Sequence, residues 1–364
     1  MTEFKRLISL DAFRGFTIAA MILVNYPGSW GHVYTPLLHK EWHGLSPTDL
    51  IFPFFIFIVG VSIALAYTKR LQKGVSKKSM YKKIIIRSFN IFIIGILLWL
   101  FPKFNFETLR VAGVLQRIAI VFLVSAFLFL NTNWKTQAWI AASILVMYWL
   151  AMMFIPTPGY HQPMLEPGEN LAAWIDSRFL PGYMWQKTWD PEGILSTLPA
   201  IATGITGMLA GHLILSAMEQ ERKIIHLFSY GFFALIIGYF WHYLFPINKS
   251  IWTSSFVLTT SGLAAMLLSV SIFFVDVKGR KRFTKPGIIF GSNAIAVYVL
   301  AAVWGQFFYN IKYGDSSLNA HFMQLFENAG WSMKFGSFLY ALLFVSFNFI
   351  PAWILYRKKI FIKL

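Results

Sequence analysis

The sequence predicts an all-α polytopic membrane protein, a single bundle of about ten transmembrane helices. Hydrophobic residues make up 57% of the 364-residue chain and charged residues only 13%, whereas roughly a quarter of the residues of a soluble domain are charged. The mean hydropathy is +0.59. Apolar runs of about 20 residues, long enough to cross a bilayer as helices, recur along the whole chain. We therefore expect one transmembrane domain over residues 1–364 with the lipid bilayer around it.

Ten apolar runs define the expected helices in order. The first contains Asp11 and Arg14 and is followed by no small-residue cleavage site, so we interpret it as a retained span and not as a signal peptide. The predicted spans are residues 7–27, 48–68, 83–101, 109–130, 136–156, 193–216, 225–245, 251–275, 287–309 and 334–356.

The positive charges are divided unevenly between the two sides of this bundle. Of the 32 Lys and Arg residues, 21 fall on the side of the N-terminus, eight on the opposite side and three within spans. Because Lys and Arg are enriched in cytoplasmic loops, this distribution predicts that both chain ends are cytoplasmic. The same loops explain the net charge of +17 by contact with anionic lipid headgroups, so we expect no nucleic-acid partner.

Two connections on the outer side are long enough to form an extracytoplasmic cap, residues 27–47 and residues 157–192. The first carries His32, His39 and His43, and imidazoles are the side chains that move protons near neutral pH. We interpret this connection as the active-site hairpin of a membrane enzyme with His39 at its centre, while His32 and His43 are ordinary solvated side chains. The histidine spacing does not fit a metal site, so we predict no metal.

Charged side chains inside the predicted spans need a partner or a function, because each costs roughly 2.5–3.5 kcal/mol at the bilayer centre. Asp11 and Arg14 are neighbours on one helix face, which suits either a neutral pair or an anion site. Arg87 lies near a helix end, from which its head can reach the interface. Arg117 has no acidic residue within one turn, so its counter-charge must come from another helix or from a ligand.

Several polar residues at the outer ends of spans are further candidates. Asn25 ends the first span, where an amide either bonds a neighbouring helix or holds a reacting carbonyl. Asp49 begins the second span, where it either favours the helix dipole, orients a histidine or binds an amine. The remaining candidates for contacts with a sugar are Trp42, Asp190, Glu192, Asn248 and Lys249.

The motifs, taken together, resemble the heparan-alpha-glucosaminide N-acetyltransferase family. The similarity rests on RLISLDAFRGF near the start, VNY at 24–26, HKEWHGLSPTDLIFPFFIFIVG, GVLQRIAI, DPEGILSTLPAIATGITGMLAG, FPINKSIWTSSFVLTTSG, DVKG and GSNAIAVYV. The resemblance implies transfer of an acetyl group from cytosolic acetyl-CoA, as co-substrate, to the amino group of a terminal glucosamine across the membrane. It also implies that His39 is the active-site histidine and Asn25 the active-site asparagine.

We therefore predict a transmembrane acetyltransferase acting on an amino-sugar or glycan acceptor, with His39 as nucleophile or general base. The chain contains no cysteine, so a covalent intermediate would have to form on another nucleophile such as imidazole. Arg14, Arg87 and Arg117 are the expected contacts of acetyl-CoA. A sugar transporter and a polysaccharide O-acyltransferase are the alternatives, a homodimer is left open, and we expect the cytoplasmic membrane of a bacterium.

Overall fold

The computed structural model describes residues 7–362, and that range is mostly helical. Short 3-10 turns shape the connection between the first two helices, and a small hairpin pairs Lys312–Tyr313 with Ser316–Ser317. The α-helices are α1 (Ile8–Asn25), α2 (Ile51–Gln72), α3 (Lys77–Leu100), α4 (Val114–Asn131), α5 (Trp134–Phe154), α6 (Leu171–Phe179), α7 (Ile194–Leu215), α8 (Gln220–Trp241), α9 (Ser254–Ser271), α10 (Thr284–Ser292), α11 (Ala294–Gly305), α12 (Leu318–Asn328) and α13 (Met333–Arg357).

The number of membrane-spanning helices agrees with the prediction. Within the described range, nine helical segments are long and apolar enough to cross a membrane, and the count is ten if the bent pair α10–α11 crosses as one span. Each predicted apolar run coincides with one of these, so the predicted all-α polytopic fold class is confirmed. Lys5, Arg6 and Lys363, which entered the charge count, lie outside the described residues. The N-in, C-in orientation stays a prediction.

Two spans differ from their expected form for physical reasons. Helix α4 begins five residues later than expected, because Arg110 forms a β-bridge with Gly182 before the helix starts. The ninth span bends by 82° between α10 and α11. At this bend the buried Asn293 donates to the carbonyl of Ile360 and accepts the N–H of Ile362, so its side chain binds the end of the chain.

The described residues group into two compact units. The first contains the chain up to Lys40, the short segment Ser46–Phe52 and everything from Ser271 onwards. The second contains Glu41–Leu45 and Pro53–Val270. The connection between α1 and α2 thus contributes His39 and Asp49 to the first unit and Trp42 to the second.

Close backbone packing joins the helices of the first unit. A Cβ atom on Gly15 of α1 would lie 1.7 Å from the carbonyl oxygen of Gly287 in α10, so the two helices touch through glycine. Gly287 and Gly291 are four residues apart, the small-xxx-small spacing that lets membrane helices approach closely. The start of α1 is fixed by Asp276, whose carboxylate accepts the N–H groups of Ile8 and Ser9.

Helix α7 is the central element of the second unit and packs against α4, α5 and α8. It also touches α2 through glycines, since a Cβ atom on Gly60 would lie 2.0 Å from the carbonyl oxygen of Gly204. Helices α3 and α4 form an antiparallel pair beside it. Several charged residues of the second unit gather at the N-terminus of α7: Arg110, Arg117, Asp176, Asp190 and Glu192.

Candidate active site

A histidine–aspartate pair lies in the connection between α1 and α2, within the first unit. His39 Nδ1 is 2.7 Å from Oδ1 of Asp49. The His39 side chain is 45% exposed, whereas that of Asp49 is 1% exposed. The buried carboxylate therefore fixes an imidazole that solvent can reach. Of the alternatives that the sequence left open for Asp49, the structure contains two together, helix capping and orientation of a histidine.

Local sequence explains why Asp49 is held so firmly. In Ser-Pro-Thr-Asp, Ser46 and Asp49 form a capping box at the start of the turn that leads into α2. Oδ2 of Asp49 accepts the backbone N–H and the hydroxyl of Ser46, at 3.0 and 2.9 Å, and the N–H of Lys40 at 3.2 Å. Oδ1 is directed at His39. One carboxylate thus closes the helix start and orients the ring.

The pairing defines what the imidazole of His39 can do. Hydrogen bonding to a carboxylate places the proton of the neutral ring on Nδ1 and makes Nε2 the basic nitrogen. The carboxylate also stabilises the positive charge that develops when Nε2 takes a proton or bonds to carbon. A ring held in this way is suited to general-base and to nucleophilic catalysis.

Asn25, the second predicted catalytic residue, is the last residue of α1 and is exposed. A direct role for its amide in the reaction stays a prediction.

Asp190 and Glu192, predicted as sugar contacts, meet Arg110 in the second unit. Arg110 donates from Nε and Nη2 to both oxygens of the Asp190 carboxylate, at 2.7 and 2.6 Å, and Nη2 also donates to Glu192. Burial alone would raise the pKa of Asp190, but the hydrogen bonds and charge of Arg110 hold that pKa below its usual value. The rings of Trp99 and Trp185 lie beside the guanidinium. These carboxylates therefore organise the start of α7.

Arg110 was missed as a site residue at the sequence level. Nothing in its neighbourhood along the chain identifies a partner 80 residues away. A partial signal is Asp-Pro-Glu-Gly at Asp190–Gly193, where two carboxylates precede a helix, a place that the helix dipole favours and that also suits a cation.

A third carboxylate, Asp176 of α6, accepts backbone N–H groups from the same segment. Its Oδ1 accepts the N–H of Ile194 at 2.8 Å, and its Oδ2 accepts the N–H of Asp190 at 3.3 Å. A Cβ atom on Gly193 would lie 1.9 Å from Oδ2, so only glycine fits there. Burial raises the pKa of Asp176 to about 6, although the two backbone hydrogen bonds oppose the increase.

This raised pKa makes stability depend on pH. Between the ordinary value of 3.8 and about 6, the folded protein keeps a proton that the unfolded chain has lost, so the unfolding free energy falls as the pH rises. Between pH 5 and pH 7 this effect should lower the free energy of unfolding by about 1 kcal/mol. Asp176→Asn should abolish that decrease. Thermal unfolding of the detergent-solubilised protein at both pH values measures it. Asp315→Asn, in an exposed turn, is the matched control, and a pH dependence equal in both variants would contradict the assignment.

Arg117 lies in the first turn of α4 and is only 1% exposed. Its Nη2 donates to the carbonyl of Gly193 and to the hydroxyl of Ser196, both at the start of α7. Nε and Nη1 are buried without a hydrogen-bond partner among the described residues. Buried N–H groups without an acceptor cost roughly 1–3 kcal/mol each, and more when charged. The guanidinium is therefore set to receive oxygen atoms from a ligand or from water.

Trp252 covers the guanidinium of Arg117. The centre of its ring is 5.1 Å from the guanidinium carbon, and its indole N–H donates to Thr203 of α7 at 3.1 Å. The φ angle of Trp252 is +52°, in the left-handed region that bulky residues rarely adopt. Such backbone strain persists where surrounding contacts impose it, and it concentrates at ligand sites.

Trp42 is part of an aromatic cluster in the second unit. Its indole N–H donates to the carbonyl of Leu165 at 3.0 Å, and its ring meets Trp189 edge to face with centroids 5.4 Å apart. Trp189 is itself buried. Trp42 is thus anchored to the segment 157–192, and its contact with a sugar stays a prediction.

Asn248 joins the α8–α9 turn to the residue that follows Trp42. Its Nδ2 donates to His43 Nδ1 across 3.3 Å, and its Oδ1 accepts the N–H of Ile251. Burial lowers the pKa of His43, more than the carboxylate of Glu166 raises it, so the ring is neutral near pH 7 and can accept this bond. Lys249 follows in the same turn and is half-buried.

The other two predicted arginines, Arg14 and Arg87, contact other groups. Arg14 forms the expected pair with Asp11, with Nη1 and Oδ1 3.3 Å apart, in the first unit. Arg87 is exposed on α3 and stands 4.9 Å from the ring centre of Phe122. Its charge also acts on the hydroxyl of Tyr67 near the end of α2, where Arg70 lies over the same ring.

Comparison with known proteins agrees with the motifs. Residues 6–244 match the family model described as "Heparan-alpha-glucosaminide N-acetyltransferase, catalytic". Heparan-alpha-glucosaminide N-acetyltransferase of Homo sapiens is 31% identical over 421 residues, and that of Mus musculus is 30% identical over 424. Each alignment covers 99% of this chain, and the chain spans 60% of the length of either relative. The chain belongs to the heparan-alpha-glucosaminide N-acetyltransferase family, as its motifs predict.

Proposed function

We propose that this chain transfers an acetyl group from acetyl-CoA to the amino group of a glucosamine-type sugar, with His39 in the reacting position. The observation that carries the proposal is the 2.7 Å hydrogen bond between His39 Nδ1 and the buried Asp49. It leaves Nε2 as a base in a solvent-accessible ring. The two related N-acetyltransferases suggest the transferred group and the type of acceptor.

Two routes use the same nitrogen. In the first, Nε2 attacks the thioester carbon, the C–S bond breaks, the CoA thiolate leaves, and an acetyl-imidazole forms; the sugar amine then attacks that acetyl group and the C–N bond to the ring breaks. In the second, the amine attacks the thioester directly while Nε2 takes its proton and the thiolate leaves. In both routes Asp49 holds Nδ1–H and balances the positive charge of the ring. Asn25 is proposed to donate to the developing oxyanion.

The charge distribution supports entry of acetyl-CoA from the cytoplasm. Its phosphates suit the basic loops together with Arg14 and Arg87. Arg117 lies 14 residues from the last residue of α4, about 21 Å along the helix, so it belongs to the other end of that span. We assign its unpartnered N–H groups to uncharged oxygens of the pantetheine arm or of the acyl group. The sugar would then be acetylated on the extracytoplasmic side, and the proposed sugar contacts are Trp42, Asp190, Glu192, Asn248 and Lys249.

The test is incubation of the purified full chain with labelled acetyl-CoA and glucosamine. We expect N-acetylglucosamine and free CoA in equal amounts. Substrate-dependent uptake by proteoliposomes without any acetylated product would overturn the proposal in favour of a transporter. A product that base hydrolyses readily would indicate O-acylation instead. Acetyl label that stays on the protein through rapid desalting at neutral pH without acceptor, and that appears as N-acetylglucosamine once glucosamine is added, would identify the acetyl-imidazole route.

A further inference from the structure

A cavity of about 310 Å³ lies in the first unit at the end of α1, and the function proposed above does not use it. It opens between the turn at Trp30–His32 and the short helix α12. Small-ligand pockets begin at about 300 Å³, so one sugar ring with its substituents is a suitable occupant. The cavity belongs to the same connection as His39, nine residues before it in the chain.

The floor of this cavity is rigidly built. Ser337 of α13 accepts the N–H of Ser29 through its hydroxyl, at 3.0 Å, and the N–H of Gly28 through its carbonyl, at 3.1 Å. Asn319 of α12 donates to the carbonyl of Gly28 at 3.1 Å. A Cβ atom on Gly28 would lie 2.7 Å from Sδ of Met323, so a side chain at this position would collide with Met323. The cavity is thus a fixed feature of the first unit.

The walls combine one aromatic face with two polar side chains. The indole of Trp30 is 59% exposed although its backbone is held by the Ser29 contacts. Gln324 and Glu327 line the facing side of α12, three residues apart and therefore adjacent on the helix. No hydrogen bond or ion pair engages the carboxylate of Glu327 within the described chain.

An exposed indole next to an amide and a carboxylate suits a particular kind of ligand. The C–H face of a pyranose packs on an aromatic ring, and its hydroxyls bond to an amide and a carboxylate. An uncompensated carboxylate further favours a ligand that carries ammonium groups. We propose that this cavity is a subsite for a sugar of an amino-sugar chain, adjacent to the residue being acetylated. The proposal deepens the acetyltransferase function proposed above and rests on it for the identity of the chain.

Trp30 provides the first test. Trp30→Ala should raise the Kd of a glucosamine trisaccharide about tenfold, because roughly half a ring face of apolar contact is lost. Isothermal titration of the detergent-solubilised full chain without acetyl-CoA measures this Kd. The KM for free glucosamine should change less than twofold, since one ring occupies only the reacting position. Trp331→Ala is the matched control, because Trp331 is 65% exposed in the same unit but does not line the cavity.

Glu327→Gln provides a second test on the exposed side of α12, where folding is not at risk. The wild-type Kd for the trisaccharide should rise with salt concentration, and the variant should bind more weakly and lose most of that dependence. Equal trisaccharide affinities in Trp30→Ala and Trp331→Ala would overturn the subsite and leave Trp30 as an interface residue. An equal loss for glucosamine and trisaccharide would also overturn it. Trp30-dependent trisaccharide binding without any acetyl transfer would preserve the subsite and refute the proposed function.

Discussion

His39→Ala is expected to lower kcat at least ~1,000-fold while changing the Kd of acetyl-CoA by less than about threefold. Removal of a positioned base costs roughly 100- to 10,000-fold, and removal of a nucleophile abolishes the route that depends on it. The imidazole is exposed, and Asp49 keeps its hydrogen bonds from Ser46 and Lys40 when the ring is removed, so the fold should survive. Initial rates with saturating labelled acetyl-CoA, together with direct binding of CoA, measure the two quantities.

His32→Ala is the matched control for this experiment. His32 lies in the same connection and is also exposed. The partner of its Nδ1 is the hydroxyl of Ser29, at 3.3 Å, and not a carboxylate. The kcat of the His32→Ala variant should stay within about twofold of the wild-type value. A near-normal kcat in His39→Ala, or equal losses in the two variants, would remove His39 from the reacting position.

Arg117→Ala should raise the Kd of acetyl-CoA about 10- to 100-fold and lower kcat at saturation much less. Hydrogen bonds to charged groups are worth about 1.5–3 kcal/mol, which corresponds to this range. The expected loss arises from the N–H groups at Nε and Nη1, which have no acceptor within the described protein. Arg117→Lys keeps a positive charge but cannot reproduce the fork, so it should recover only part of the affinity.

The control for the arginine experiment is Arg178→Ala, which removes an exposed guanidinium from α6. Both variants lose one positive charge, so a general electrostatic effect would change them equally. The Arg117 variant also removes a donor from the hydroxyl of Ser196 and from the carbonyl of Gly193, which still accepts from Ser196 and Thr197. The folded fraction must therefore be measured before affinities are compared. An unchanged Kd in folded Arg117→Ala would exclude this residue from the acetyl-CoA site.

The sequence predicted features that depend on neighbouring residues. Span length and apolarity are local, which is why all ten runs coincide with helices. The start of α2 could likewise be predicted, since Ser46 and Asp49 have the spacing of a capping box. The pairing of Asp49 with His39 was among the alternatives, because ten residues of connection separate two groups of complementary chemistry.

Features that depend on contacts between residues far apart in the chain could not be predicted from the sequence. Arg110 and Arg117 find their partners at the start of α7, 76 to 82 residues away, and no spacing rule covers that distance. The sequence does not predict the bend at Asn293, because the residues around it are apolar and its hydrogen-bond partner, Ile360, lies 67 residues further along the chain. The left-handed backbone conformation of Trp252 could not be predicted either, since tryptophan has no preference for that conformation.

The double use of Asp49 has an evolutionary consequence. One carboxylate closes the turn before α2 and aligns the imidazole, so a substitution at this position damages both tasks at once. Under the function proposed above, a mutation of Asp49 therefore cannot change turnover without changing the stability of the turn, so the two properties would evolve together at this position.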